Sequence, residues 1–271
     1  MTKNKNGFSL IELMIFLVLS SLIMIALLNF VVRNKLQHQR QALELQLENH
    51  LYYAKNYLEQ AIRRAGYAGC SHVDLLNIHS EYVGLKLTAL SGTRNTLQIN
   101  YVDEVFDLPH DMKNKSEALV FKNTFDPKYT LMISDCHSAD IFYNQYSTSY
   151  LIQHTEFQKS YKAHSDLARW NLVNFSVDKT KRKNNQGQFI SALYSKNEGD
   201  PKKEEIVDHI VEMDLNYAAT LEDFNKPASA LPIDFKAIKI VKVTLKAAIV
   251  FQNTQLKKEL VFFVTLRNRV N

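Results

Sequence analysis

The sequence predicts an α+β protein in which one long N-terminal helix lies against an antiparallel, β-rich globular head. Three observations predict it. From Phe8 to Ala65 no Pro or Gly interrupts the chain, and its apolar residues pass from a continuous run into a helical stripe. Beyond Gly69 the pattern changes to short runs rich in β-branched and aromatic residues. The chain closes on two long alternating segments around a polar stretch, the signature of a hairpin.

The first element is set by hydropathy. Phe8 to Val32 is 25 residues with a single charge, Glu12. As a helix rising about 1.5 Å per residue it crosses the roughly 30 Å hydrocarbon core. It is longer than the apolar core of a cleavable secretory signal and runs into Arg33 and Lys35 rather than into a small-residue cleavage site. A single membrane span is expected over residues 8–32. An acid there costs about 2.5–3.5 kcal/mol at a helix centre and less toward the interface, so Glu12 is a candidate functional residue. The plain alternative is an uncleaved anchor whose Glu12 reaches back to the head groups. Cleavage between Gly7 and Phe8 would instead leave an α-ammonium one helical turn before Glu12, a cation able to pair with the carboxylate of a neighbouring copy.

The second element is the continuation of the helix over residues 33–66. Leu36, Leu43, Leu47, Leu51, Ala54, Leu58, Ala61 or Ile62, and Ala65 form one apolar stripe, and Gly66 stands at a left-handed C-cap position after Arg63 and Arg64. The polar face lacks heptad charge pairing, which favours packing on the chain's own head over a coiled coil.

The head is expected over residues 67–271, with strands in 96–102, 117–122, 130–136, 139–146, 171–177 and 189–195. In 209–219, Val211, Met213, Leu215 and Tyr217 alternate with polar residues, as in a half-buried strand. Val241, Val243 and Leu245 share a face, whereas Ile238 and Ile240 fall in the opposite phase and call for a bulge or two-sided burial. Leu260, Phe262, Val264 and Leu266 continue the second strand, with Gln252 to Lys258 as the connection. The stretches 178–188 and 196–205 read as surface loops.

The start of the chain resembles a known class of signal. Gly7, Phe8, Ser9, Leu10, Ile11, Glu12, Leu13 and Met14, after Lys3 and Lys5, are similar to the class III signal of type IV prepilins. The resemblance implies a leader at residues 1–7, cleavage after Gly7 and N-methylation of Phe8 by the prepilin peptidase, and alignment of the subunit in a filament by Glu12. Asn29 stands where many major pilins carry a helix-kinking Pro. The segments "RRAGYAGC" (63–70), "SDCHSADIF" (134–142), "EIVDHIVEMDLNYA" (205–218) and "VTLRNRV" (264–270) together resemble the PilW-like minor pilins of type IV pilus systems. That likeness implies a type IV pilin-like fold, an inner-membrane protein with a periplasmic head, and a place in the pilus after assembly. The implied partners are other minor pilins, the major pilin, the prepilin peptidase and the inner-membrane assembly platform. The implied role is priming or assembly of a filament, at its tip in one version, that serves adhesion, twitching motility or DNA uptake. A type II secretion pseudopilin shares the leader and plan, and a tip adhesin or DNA-binding pilin is a further alternative.

The two cysteines, Cys70 and Cys136, depend on the compartment. With the head in an oxidising space they are expected as a disulfide closing a long loop. A two-Cys, two-His metal set with His72 and His137 is the rival, weakened by the absence of CxxC spacing.

The net charge of +5 is spread among 28 acids, a poor footprint for nucleic acid. Lys179, Lys181, Arg182 and Lys183 are the one cluster that could touch phosphate, though a solvated loop explains them as well. No phosphate loop, nucleophile elbow or HExxH occurs, and His154, His164 and Asp166 read as polar loop residues rather than a site. No catalytic residue, metal or cofactor is expected.

Overall fold

A computed structural model describes residues 10–80, 87–115, 119–120, 129–144, 151–152, 157–225 and 234–266. Its order is α1 (Leu10–Arg64), β1 (Tyr67–Ala68), β2 (Ser71–His72), β3 (Asn77–Ser80), β4 (Leu90–Gly92), β5 (Thr96–Asp107), β6 (Leu119–Val120), β7 (Thr130–Ser134), β8 (Ser138–Tyr143), β9 (Leu151–Ile152), β10 (Asp166–Lys183), β11 (Phe189–Asn197), β12 (Glu204–Asp208), β13 (Ile210–Ala218), β14 (Ile240–Phe251) and β15 (Thr254–Thr265). The architecture is α+β, a long N-terminal helix on a mostly antiparallel head.

The helix runs 55 residues without a break, through Asn29. Its end is chemical: Gly66 takes φ +79, a conformation that costs a residue with a Cβ, and a Cβ there would lie 2.0 Å from His72 Nε2. The Gly66 amide then donates to Asn100 O at 2.8 Å, which joins the helix end to β5.

Strand β10 is the spine of the larger sheet. One edge pairs with β5; along the other, residues 166–169 pair with β7 and residues 173–183 with β11. β12 extends the sheet beyond β11, and β8 and the parallel strand β3 extend it beyond β7. β13, β14 and β15 form a separate antiparallel sheet.

The stripe of α1 fills the gap between the two sheets. Leu47, Leu51, Ala54, Leu58, Ile62 and Ala65 are buried with Leu97, Ile99, Phe175 and Leu193 of one sheet and Met213, Leu215, Val243, Leu245 and Val264 of the other. At the far end the sheet is covered on both sides. Leu131, Ile133 and Leu167 face Phe142, Phe157 and Tyr161, whereas Met132 and Ala168 face Trp170, Val102 and Val73. Two-sided burial explains why "TLMIS" is continuously apolar instead of alternating.

Several details differ from the sequence reading. Residues 178–183 are strand, and only 184–188 turn, because backbone pairing with β11 is indifferent to charged side chains that point into water. Thr180 is buried on the inner side of this stretch. Both ends of the 196–205 stretch, read as a loop, are likewise strand: residues 196–197 belong to β11 and residues 204–205 to β12. Val211 is exposed while Ile210 is fully buried, since the register against β14 shifts between Ile210 and Glu212. The β14–β15 ladder is uninterrupted from Ile240 to Phe251, so there is no bulge in it; the opposite face is instead partly covered, with Thr244 and Ala248 buried and Ile240 half-buried, and Ile238 is buried ahead of the strand. The hairpin turns on Gln252 and Asn253 alone, with Gln252 at φ 49, and residues 254–258 belong to β15. The expected strand at 117–122 coincides with β6 only at residues 119–120, the rest lying outside the described residues, as do residues 267–270 of the closing segment and His154.

Candidate functional site

Gly7 and Phe8 lie outside the described residues, and Glu12 falls in the first described turn of α1. Every residue from Leu10 to Lys35 is exposed, and the head covers none of them. Side chains such as Leu10, Ile11 and Phe16 are about two-thirds or more in the open, at 76%, 69% and 69%. Burying a large apolar side chain contributes about 1.5–3 kcal/mol. A sheath of this length therefore demands an apolar partner, a bilayer or neighbouring helices. The hydroxyls within it are already satisfied, Ser20 donating to Leu17 O at 3.0 Å and Ser21 to Val18 O at 2.8 Å. Glu12 is the one charge in this stretch, and among the described residues the next cation along the helix is Arg33, about 30 Å away at 1.5 Å per residue. This helix is long and apolar enough to cross a membrane.

Besides the apolar stripe, several polar and aromatic contacts join α1 to the head. Lys258 of β15 donates to Glu48 at 2.9 Å, and His50 Nδ1 is 3.1 Å from Asp208 Oδ1. Tyr57 meets Phe175 edge-on, with ring centroids 6.0 Å apart. Gly66 caps the helix against β5. The stripe thus packs on the chain's own head, the arrangement expected in preference to a coiled coil. Tyr52 and Tyr53 remain exposed.

Cys70 and Cys136 are bonded to each other, with Cα atoms 5.3 Å apart across 66 positions of sequence. Both sulfurs being used, the set with His72 and His137 has no thiolate to offer a metal. The bond joins two tight turns. Cys70 follows Gly69, at φ 73, in the β1–β2 ribbon; Cys136, at φ 71, lies between β7 and β8. Asp166 Oδ2 accepts from the Cys70 amide at 3.0 Å. On the other side Asp135 Oδ1 accepts from the amides of His137 at 3.2 Å and Ser138 at 2.9 Å, and its second oxygen pairs with Lys159. Burial pushes the Asp135 carboxyl up, but Lys159 and the two amides outweigh it and bring it down to about 2.

The four residues of the basic cluster have separate surroundings. Arg182 is held by Glu205 and, at 3.2 Å, by Asp208; Lys183 lies over the Phe189 ring at 4.9 Å. Lys179 and Lys181 are exposed. His164 lies 3.7 Å from Asp107, while Asp166 serves Cys70, so these two do not converge.

Sequence reasoning missed one constellation. His50, Asp208 and His209 each bring a ligand-type atom within 4.8 Å of the others. The "DH" pair was visible, but its partner lies 158 positions earlier, on the helix.

The chain matches the family described as the prokaryotic N-terminal methylation motif, over residues 2–28. No curated protein and no solved structure matches it. The chain therefore carries a prepilin-type signal, and this signal ends inside the apolar, uncovered half of α1. The two together fit a membrane-anchored protein of the pilin or pseudopilin type, structural in character.

Proposed function

We propose that the chain is a minor pilin, PilW-like, of a type IV pilus. It is cleaved after Gly7, methylated at Phe8, and held in the inner membrane by residues 8–32 with residues 33–66 and the head on the periplasmic side. It joins other minor pilins to prime a filament of the major pilin, extended by the assembly platform, in the service of adhesion, twitching motility or DNA uptake. One observation carries the reading: the methylation motif overlies a helix whose first half is an uncovered apolar rod with a single acid and whose second half is built into the core of the head.

The mechanism is electrostatic. Removal of the leader exposes an α-ammonium at Phe8, four residues before Glu12, so a neighbouring subunit displaced by one turn presents its amine at the depth of this carboxylate. In a low dielectric an unmatched pair is costly, which makes the contact a test of axial register during addition. Gly7→Ala blocks leader removal, while Glu12→Ala leaves processing intact and lowers incorporation into filaments. Mass spectrometry of membrane-extracted protein reads the first outcome and immunoblotting of sheared filaments the second. A mature chain that starts anywhere other than methylated Phe8 overturns the reading. Recovery of the chain crosslinked to secretion-system components instead of pilins moves it to the pseudopilins.

A further inference from the structure

We propose that His50, Asp208 and His209 bind one divalent transition-metal ion of the zinc type, which clips the outer half of α1 to the junction between β12 and β13.

The donor set is two imidazoles and one carboxylate, the ligands zinc and its neighbours accept and calcium or magnesium do not favour. Bond lengths of about 2.0–2.2 Å place adjacent donors roughly 3–3.5 Å apart around a four- to six-coordinate ion. Asp208 Oδ1 is already 3.1 Å from His50 Nδ1 and 2.9 Å from His209 Nδ1. His209 Nδ1 meets the carboxylate as an ion pair without aligned hydrogen-bond geometry, and His50 Nδ1 also lies 3.1 Å from the Asp208 carbonyl oxygen, so an ion bound there takes the place of the Nδ1 protons. The two rings stand 5.6 Å apart at 47°, beside each other rather than stacked.

The surroundings are fixed in the way a ligand shell requires. Arg182 grips Asp208 Oδ2 at 3.2 Å, which leaves Oδ1 turned to the imidazoles, and its charge is shared with Glu205. His209 is held at φ 63, unusual for a residue with a Cβ, and its carbonyl accepts from the Ala248 amide at 3.0 Å. His50 sits between the buried Leu47 and Leu51 on a helix that cannot turn away. All three residues are partly buried, His50 and Asp208 with 21% of the side chain exposed and His209 with 14%. The site is independent of the pilin reading.

The test uses the full-length, tag-free chain in detergent, stripped with a chelator and titrated with zinc by calorimetry, then with cobalt(II) followed by its visible absorption. One saturable site per chain and ligand-field bands are expected. His50→Ala and His209→Ala should each weaken zinc binding by more than the roughly 10–100-fold that loss of an outer-shell partner costs. Exposed His110→Ala and His164→Ala should leave it unchanged. Asp208→Asn keeps the shape of the carboxylate and serves where an Ala variant no longer forms the Cys70–Cys136 bond. No saturable uptake by the unmodified chain, or uptake equal in the His50→Ala, His209→Ala and Asp208→Asn chains, overturns the proposal and leaves the trio an ion-pair contact.

Discussion

At the scale of single residues, backbone conformation and charge explain what side-chain type alone does not. Gly66 combines a left-handed φ with contact distances that leave no room for a methyl, so Gly66→Ala should destabilise the head by about 1–3 kcal/mol or more, measured by thermal or denaturant unfolding. The sequence made this glycine readable as a helix cap, because position and preceding arginines suffice for that. It did not reveal His72 behind it, a contact made only in three dimensions. Asp135 gives a pH signature. Its carboxyl is held at about 2, below its unfolded value, so its contribution is fully present above about pH 4 and is lost as pH falls through 2. Protection of the turn at residues 135–138 in hydrogen exchange should therefore drop between pH 4 and 2, and Asp135→Asn should remove that dependence. Glu12 was legible from charge in an apolar run; His50 with Asp208 and His209 was not, since nothing local marks residues so far apart as neighbours.

Among elements, α1 illustrates how periodicity translates into energy. Leu58 is fully buried between the sheets and Tyr52 is 55% exposed, although both lie on the same four turns. Leu58→Ala should cost about 2–5 kcal/mol by the cavity it leaves. Tyr52→Ala should change unfolding free energy by no more than about 0.5 kcal/mol. The helix, its stripe and the β14–β15 hairpin were all readable because each is long and periodic. Strands β3, β4 and β12 were not, being only three to five residues long, and β3 pairs besides with a strand some sixty positions away. The end of β10 was read as a loop from its charges, yet the ladder to β11 satisfies its backbone regardless.

For the whole molecule, the disulfide is the longest covalent closure, and it fastens the β1–β2 ribbon below the helix end to the turn between β7 and β8. Loop-entropy reasoning assigns such a bond about 4 kcal/mol. Cys70→Ser with Cys136→Ser should lower the unfolding midpoint accordingly, read by denaturant titration, while Leu58 and the rest of the larger core stay packed. One last feature concerns how the head is mounted. The tip of the β14–β15 hairpin, at Phe251 and Gln252, borders the same cleft as Leu36, Gln37 and Arg40, little more than a turn past the end of the apolar run. No slack tether separates rod from body, so any leaning of the rod is passed on undamped, and the outermost turns of the body sweep the widest arc.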